Sequence, residues 1–79
     1  MAPTVVRDGQ FRGFFFCREE SRMHVHVSHL DGVVKFWFTP AVELATSTAL
    51  SDRQLRDARA VVESHIEEIR NAWNRHFGA

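Results

Sequence analysis

LSDRQLRDARAVVESHIEEIRNAWNRHFG, residues 50–78, is the stretch whose reading decides the fold. Ser51 and Gln54 have the Ser-x-x-Gln spacing of a capping box, in which each side chain satisfies an orphan amide of a helix's first turn. Leu50 and Leu55 flank that box at the positions of a hydrophobic staple. From Leu55 the apolar residues Ala58, Val62, Ile66, Ile69, Trp73 and Phe77 advance in steps of three and four, which lines one stripe along a helix. Gly78 stands where a helix of this phase would end. The pattern predicts one long helix over residues 52–77.

The half of the chain before it has a different grain. Residues 4–7, 11–18, 23–28 and 33–38 are short, β-branched or aromatic runs separated by turn formers, and Asp8-Gly9 and Asp31-Gly32 have hairpin chemistry. Thr39-Pro40 breaks the last of these runs. Residues 42–45 read as a further short strand, with a helical turn as the alternative. The predicted architecture is α+β: an antiparallel meander of three to five short strands within residues 4–45, packed on the C-terminal helix. All 79 residues fit one domain, and a domain this small buries only ~60% of its unfolded surface, so stabilisation by a partner fits its size.

Composition narrows the class. Ten basic and ten acidic residues balance, so bulk charge gives no attraction to nucleic acid or an anionic membrane. All the basic residues but Lys35 are arginine, which suits forked contacts to carboxylate or phosphate. The single cysteine, Cys17, excludes an internal disulfide and lies in an apolar run, as a buried, reduced thiol would. No apolar run approaches the ~20 residues of a membrane span, and no basic-then-apolar leader opens the sequence. These features predict a cytoplasmic protein.

Strand parity then singles out a surface. Successive strand residues alternate between faces, so Met23, Val25 and Val27 oppose His24, His26 and Ser28. Val34, Phe36 and Phe38 similarly oppose Val33, Lys35 and Trp37, and Phe14 and Phe16 oppose Phe15 and Cys17. Assigning the more apolar sets to the helix leaves His24, His26, Lys35, Trp37 and Phe15 on a second face. One helix covers one side of a sheet, and a contiguous aromatic patch on the other side is the mark of a binding surface.

Several chemistries compete for that face. As a partner-binding surface it would use Phe15, His24, His26, Lys35 and Trp37. As a metal-independent ribonuclease it would use His24 and His26 as acid and base and Lys35 to stabilise a phosphorane, with Trp37 or Phe15 stacking a base. A metal site is not expected, because Zn²⁺ needs three or four ligands and His29 has the wrong parity to join the pair. No cofactor is implied. Arg53, Arg56 and Arg59, in the first turns of the helix, are a further candidate for an anionic partner, protein or RNA, with Asp52 and Asp57 partly neutralising them. They oppose the helix dipole, as do Glu63, Glu67 and Glu68 further on.

Taken together, Pro3-Thr4-Val5, a Phe-rich second strand, His24-Val25-His26-Val27, Lys35-Phe36-Trp37, Pro40, Val42, Leu44, Ala45, Gln54-Leu55-Arg56, Trp73 and Phe77-Gly78 resemble the small bacterial family called domain of unknown function 4160. The likeness runs over nearly the whole chain, although Ser21-Arg22-Met23 stand where that family usually carries two prolines. Members are often encoded beside another small protein, of the family called domain of unknown function 2442, and such pairs have been proposed as toxin–antitoxin modules. The resemblance therefore implies a small cytoplasmic interaction module with a nearby-encoded protein partner. A ribonuclease toxin and a homodimeric regulator without catalysis are the alternatives.

Overall fold

The computed structural model describes residues 4–15 and 22–77. Among them, five strands form one antiparallel sheet in the order β1-β2-β3-β4-β5, a meander in which every neighbour in sequence is a neighbour in space. The strands are β1 (Thr4–Asp8), β2 (Phe11–Phe14), β3 (His24–His29), β4 (Gly32–Trp37) and β5 (Glu43–Thr48). Two helices follow, α1 (Asp52–Ser64) and α2 (Ile66–Phe77). The expected β-rich first half, the fifth strand and the C-terminal helical segment are all present. Phe16 and Cys17, with the rest of the second run, and Gly78 lie outside the described residues.

Gly9 and Gly32 are used for different reasons. Gly9 takes φ 61° at the first position of the β1–β2 turn, a conformation that side chains with a Cβ resist. Gly32 does not turn the chain through a positive φ. It begins β4, and a Cβ there would collide with the backbone carbonyl of Thr48 on β5.

Under the sheet, Val6, Phe15, Val25, Val27, Val34, Phe36 and Phe38 meet Ala58, Val62, Ile69 and Trp73 in one core. α1 lies against β2 and β4, and α2 against β1. The α1 start is the predicted one: Ser51 Oγ accepts from the Gln54 amide at 3.1 Å, and Gln54 Oε1 accepts from the Ser51 amide at 2.8 Å.

One expectation needs correction: the long helix is two. At His65 the backbone leaves helical geometry, with φ −115°, and its amide is shared between the Val61 and Val62 carbonyls. The break gives the following charges a favourable order. Glu67 and Glu68 fall in the first turn of α2, where anions are favoured, and Arg75 and His76 in its last, where cations are. The His65 ring sits between two carboxylates, Nδ1 at 2.8 Å from Glu68 Oε1 and Nε2 at 3.2 Å from Asp8 Oδ2. It ties the helix break to the end of β1. Both contacts favour the imidazolium, the Glu68 hydrogen bond most, and hold the His65 pKa above its ordinary value despite some desolvation.

Candidate functional site

The sheet face turned away from the core is organised in rows. Pairing sets His24 opposite Trp37 and His26 opposite Lys35. Phe14 lies opposite His26, and Thr46 opposite Lys35, so Phe14, His26, Lys35 and Thr46 form one line across four strands. A second line joins Arg12, Ser28, Val33 and Thr48. By register His24, His26, Lys35 and Trp37 share one side, as strand parity predicts, but the His24 ring is sealed against Trp73 of the core.

Phe15 does not join them. Its side chain is buried in the core, edge-on to the Trp73 indole at 5.2 Å. The register Gly13↔Val27 decides the matter: Phe11, Gly13 and Phe15 face the helices, and a Cβ at Gly13 would press on Val6 and Val25. Phe14, predicted for the helix side of the core, is buried as expected but on the second side of the sheet, opposite His26. Its ring stacks on His26 with centroids 5.5 Å apart and 21° between planes.

Cations cap the aromatic rings. The Arg12 guanidinium lies 4.8 Å from the Phe14 centroid, and Lys35 Nζ and the Arg22 guanidinium each lie 4.5 Å from that of Trp37. Such contacts contribute ~0.5–1 kcal/mol at exposed sites and more when desolvated. Arg22 is also anchored, donating to the Thr39 carbonyl at 3.2 Å and pairing with Glu43 at 3.2 Å. Arg12 and Arg22 were not singled out by the sequence patterns. For Arg12 the signal was available, since it stands two residues before Phe14 and shares its parity.

The two histidines differ in access. His24 is wholly buried. Its Nδ1–H donates to the Arg22 carbonyl at 2.7 Å, and its ring is surrounded edge-on by His26 at 5.4 Å, Trp37 at 5.8 Å and Trp73 of α2 at 5.1 Å. His26, Lys35 and Trp37 are half-buried and reach the surface. An acid–base pair made of His24 and His26 would therefore have one imidazole sealed from a substrate arriving from solvent. Chemically, the face is built to hold planar, cationic and aromatic contact groups in a fixed array.

Arg53, Arg56 and Arg59 are elsewhere. They lie on α1, across the sheet from the His26 row, and Arg59 Nη2 donates to the Val42 carbonyl at 2.7 Å. Among the described residues no group of three or more His, Cys, Asp or Glu side chains is placed to hold a metal ion. No helix among them is long and apolar enough to cross a membrane.

Comparison with protein families places this geometry in context. The family described as domain of unknown function 4160 matches residues 11–74, which span β2 through most of α2. The chain belongs to that family. The matched region of this 4160-family member contains every residue of the aromatic and cationic rows described above. Neither the curated proteins nor the solved structures contain a match to it.

Proposed function

We propose that this protein is a small interaction module, one component of a toxin–antitoxin-like pair, that binds a protein partner through the face carrying Phe14, His26, Lys35 and Trp37. The observation that carries the reading is the unbroken line Phe14–His26–Lys35 beside Trp37, with Arg12, Lys35 and Arg22 stationed over its rings. Aromatic and arginine side chains are the residue types that dominate protein–protein contact energies. Strands hold them in register, so little rotamer freedom remains to be lost when a partner lands. The cations favour a partner that brings carboxylates to the rim.

The test is co-purification with a small protein of the 2442 family, the kind of partner that the family resemblance implies, using Trp37→Ala and Lys35→Glu variants whose folding is checked by circular dichroism. Each is expected to weaken retention at least tenfold. Retention equal to the parent's in both variants would remove this face as the contact surface. His24→Asn, a change at a buried position, addresses fold stability rather than contact and serves as the comparison.

A further inference from the structure

β5 is the last strand of the sheet, and among the described residues it pairs with β4 alone, leaving its outer edge open. Edge strands are usually protected by lysine, proline or a bulge, because their free amides and carbonyls template another strand. Glu43–Thr48 contains neither lysine nor proline. It has a bulge: Lys35 pairs with Thr46 and Phe36 with Leu44, so Ala45 is the surplus residue.

The bulge sends Leu44 to the helix side, next to Phe36, although Thr46 faces the His26 row. Leu44 is 49% exposed there, at the mouth of a cleft lined by Phe36, Leu44, Leu55, Arg56 and Arg59. An apolar floor thus runs beside an open strand edge, and Arg56 and Arg59 form the helical wall, Arg59 already paired with Glu63. Arg59 is held at the upstream end of the edge by its bond to the Val42 carbonyl, with Glu63 at 3.5 Å from its Nε. Asp57 lines a different hollow, beside Phe11 and His29. Arg53 alone of the three falls in the first turn of α1, where cations are disfavoured.

We propose that this cleft binds an extended acidic segment of a partner polypeptide, which adds a strand to the β5 edge. One aliphatic side chain of the segment enters beside Leu44 and Leu55, and a carboxylate two residues away, on the same side of the new strand, meets Arg56 and Arg59. Main-chain pairing supplies affinity in this mode and the alternating side chains supply selectivity. The spacing of two follows from the period of a strand. Forked guanidinium–carboxylate bonds favour an acid over an amide. This surface is separate from the His26 face and stands or falls without it.

The probe is a fluorescein-labelled peptide, Val-Thr-Glu-Thr-Leu-Thr-Glu-Thr-Val, titrated with the full chain and read by anisotropy. Binding is expected, with at least tenfold weaker binding when both Glu are replaced by Gln or the Leu by Ala. Two N-methylated versions, covering alternate amides, test main-chain pairing, and one of them is expected to abolish binding. Arg56→Gln, at an exposed position, is expected to erase the preference for Glu over Gln, whereas Trp37→Ala leaves it intact. The proposal is overturned if the Glu peptide fails to bind, if the Gln peptide binds equally, or if both N-methylated peptides bind like the parent. A dimer of the chain that sediments as such and excludes the peptide would assign the edge to a second copy and also overturn it.

Discussion

Truncating Ile69 to Ala tests whether α2 packs as described after the break at His65. The side chain is fully buried in the core formed with the sheet. Removing three carbons costs ~0.8 kcal/mol each in transfer free energy, or about 2.4 kcal/mol. The cavity left behind carries the total into the ~2–5 kcal/mol range of such changes. A chain of 79 residues at ~0.05–0.15 kcal/mol per residue has about 4–12 kcal/mol in all, so the variant would lose a large share of it. At ~4–8 °C per kcal/mol, the melting temperature should fall by more than about 10 °C. The assay is urea unfolding followed by far-ultraviolet circular dichroism, with Ile69→Val expected to lose about 0.5–1.5 kcal/mol. A loss below about 1 kcal/mol for Ile69→Ala, with an unchanged m-value, would refute the packing. It would mean that the break rotates Ile69 away from the sheet.

Two further outcomes are expected. Gly32→Ala puts a Cβ against the Thr48 carbonyl and should cost ~1–3 kcal/mol or more, because a backbone group has no rotamer with which to yield. Hydrogen exchange would then show the β5 amides losing protection first, and protection equal to the parent's would count against the close β4–β5 approach. His65, whose pKa is raised by Glu68 and Asp8, contributes stability that is fully present below the unfolded imidazole pKa of ~6.5 and disappears as pH climbs through the higher folded value. The melting-temperature gap between the parent and His65→Gln should therefore be widest in mild acid and close on the alkaline side. A gap that stays constant with pH would sink the assignment.

Much of the fold was legible because several local signals agree. Ser51 and Gln54 announce the start of α1, and the apolar steps from Ala58 to Trp73 match the buried helix positions. The parity of β3 and β4 was equally clear, since Val25 and Val27 alternate with imidazoles and Val34 and Phe36 with Lys35 and Trp37. Parity failed in β2, where the consecutive phenylalanines after Gly13 masked the phase that Arg12 sets. Gly13, crowded by Val6 and Val25, was a second clue to which side faces inward. The helix break was hidden by an apolar stripe that continues in phase through His65. The charges recorded it, because Glu67 and Glu68 are awkward in mid-helix and favourable at the start of a new one. β5 ran on to Thr48 because Thr46, Ser47 and Thr48 pair with β4 without any apolar alternation to mark them. The burial of His24 was not readable, since it depends on Trp73, far away in sequence, reaching its ring.

The surplus residue in β5 has a genetic corollary. Point substitutions at Ala45 change a side chain and leave the bulge in place, whereas losing that one codon would close the bulge and keep every other pairing with β4. Leu44 would stay opposite Phe36 on the helix side, and Glu43 opposite Trp37. A three-nucleotide deletion there should thus straighten the outer strand while leaving the chemical character of both surfaces intact, an outcome that the exchange of one amino acid for another does not reach.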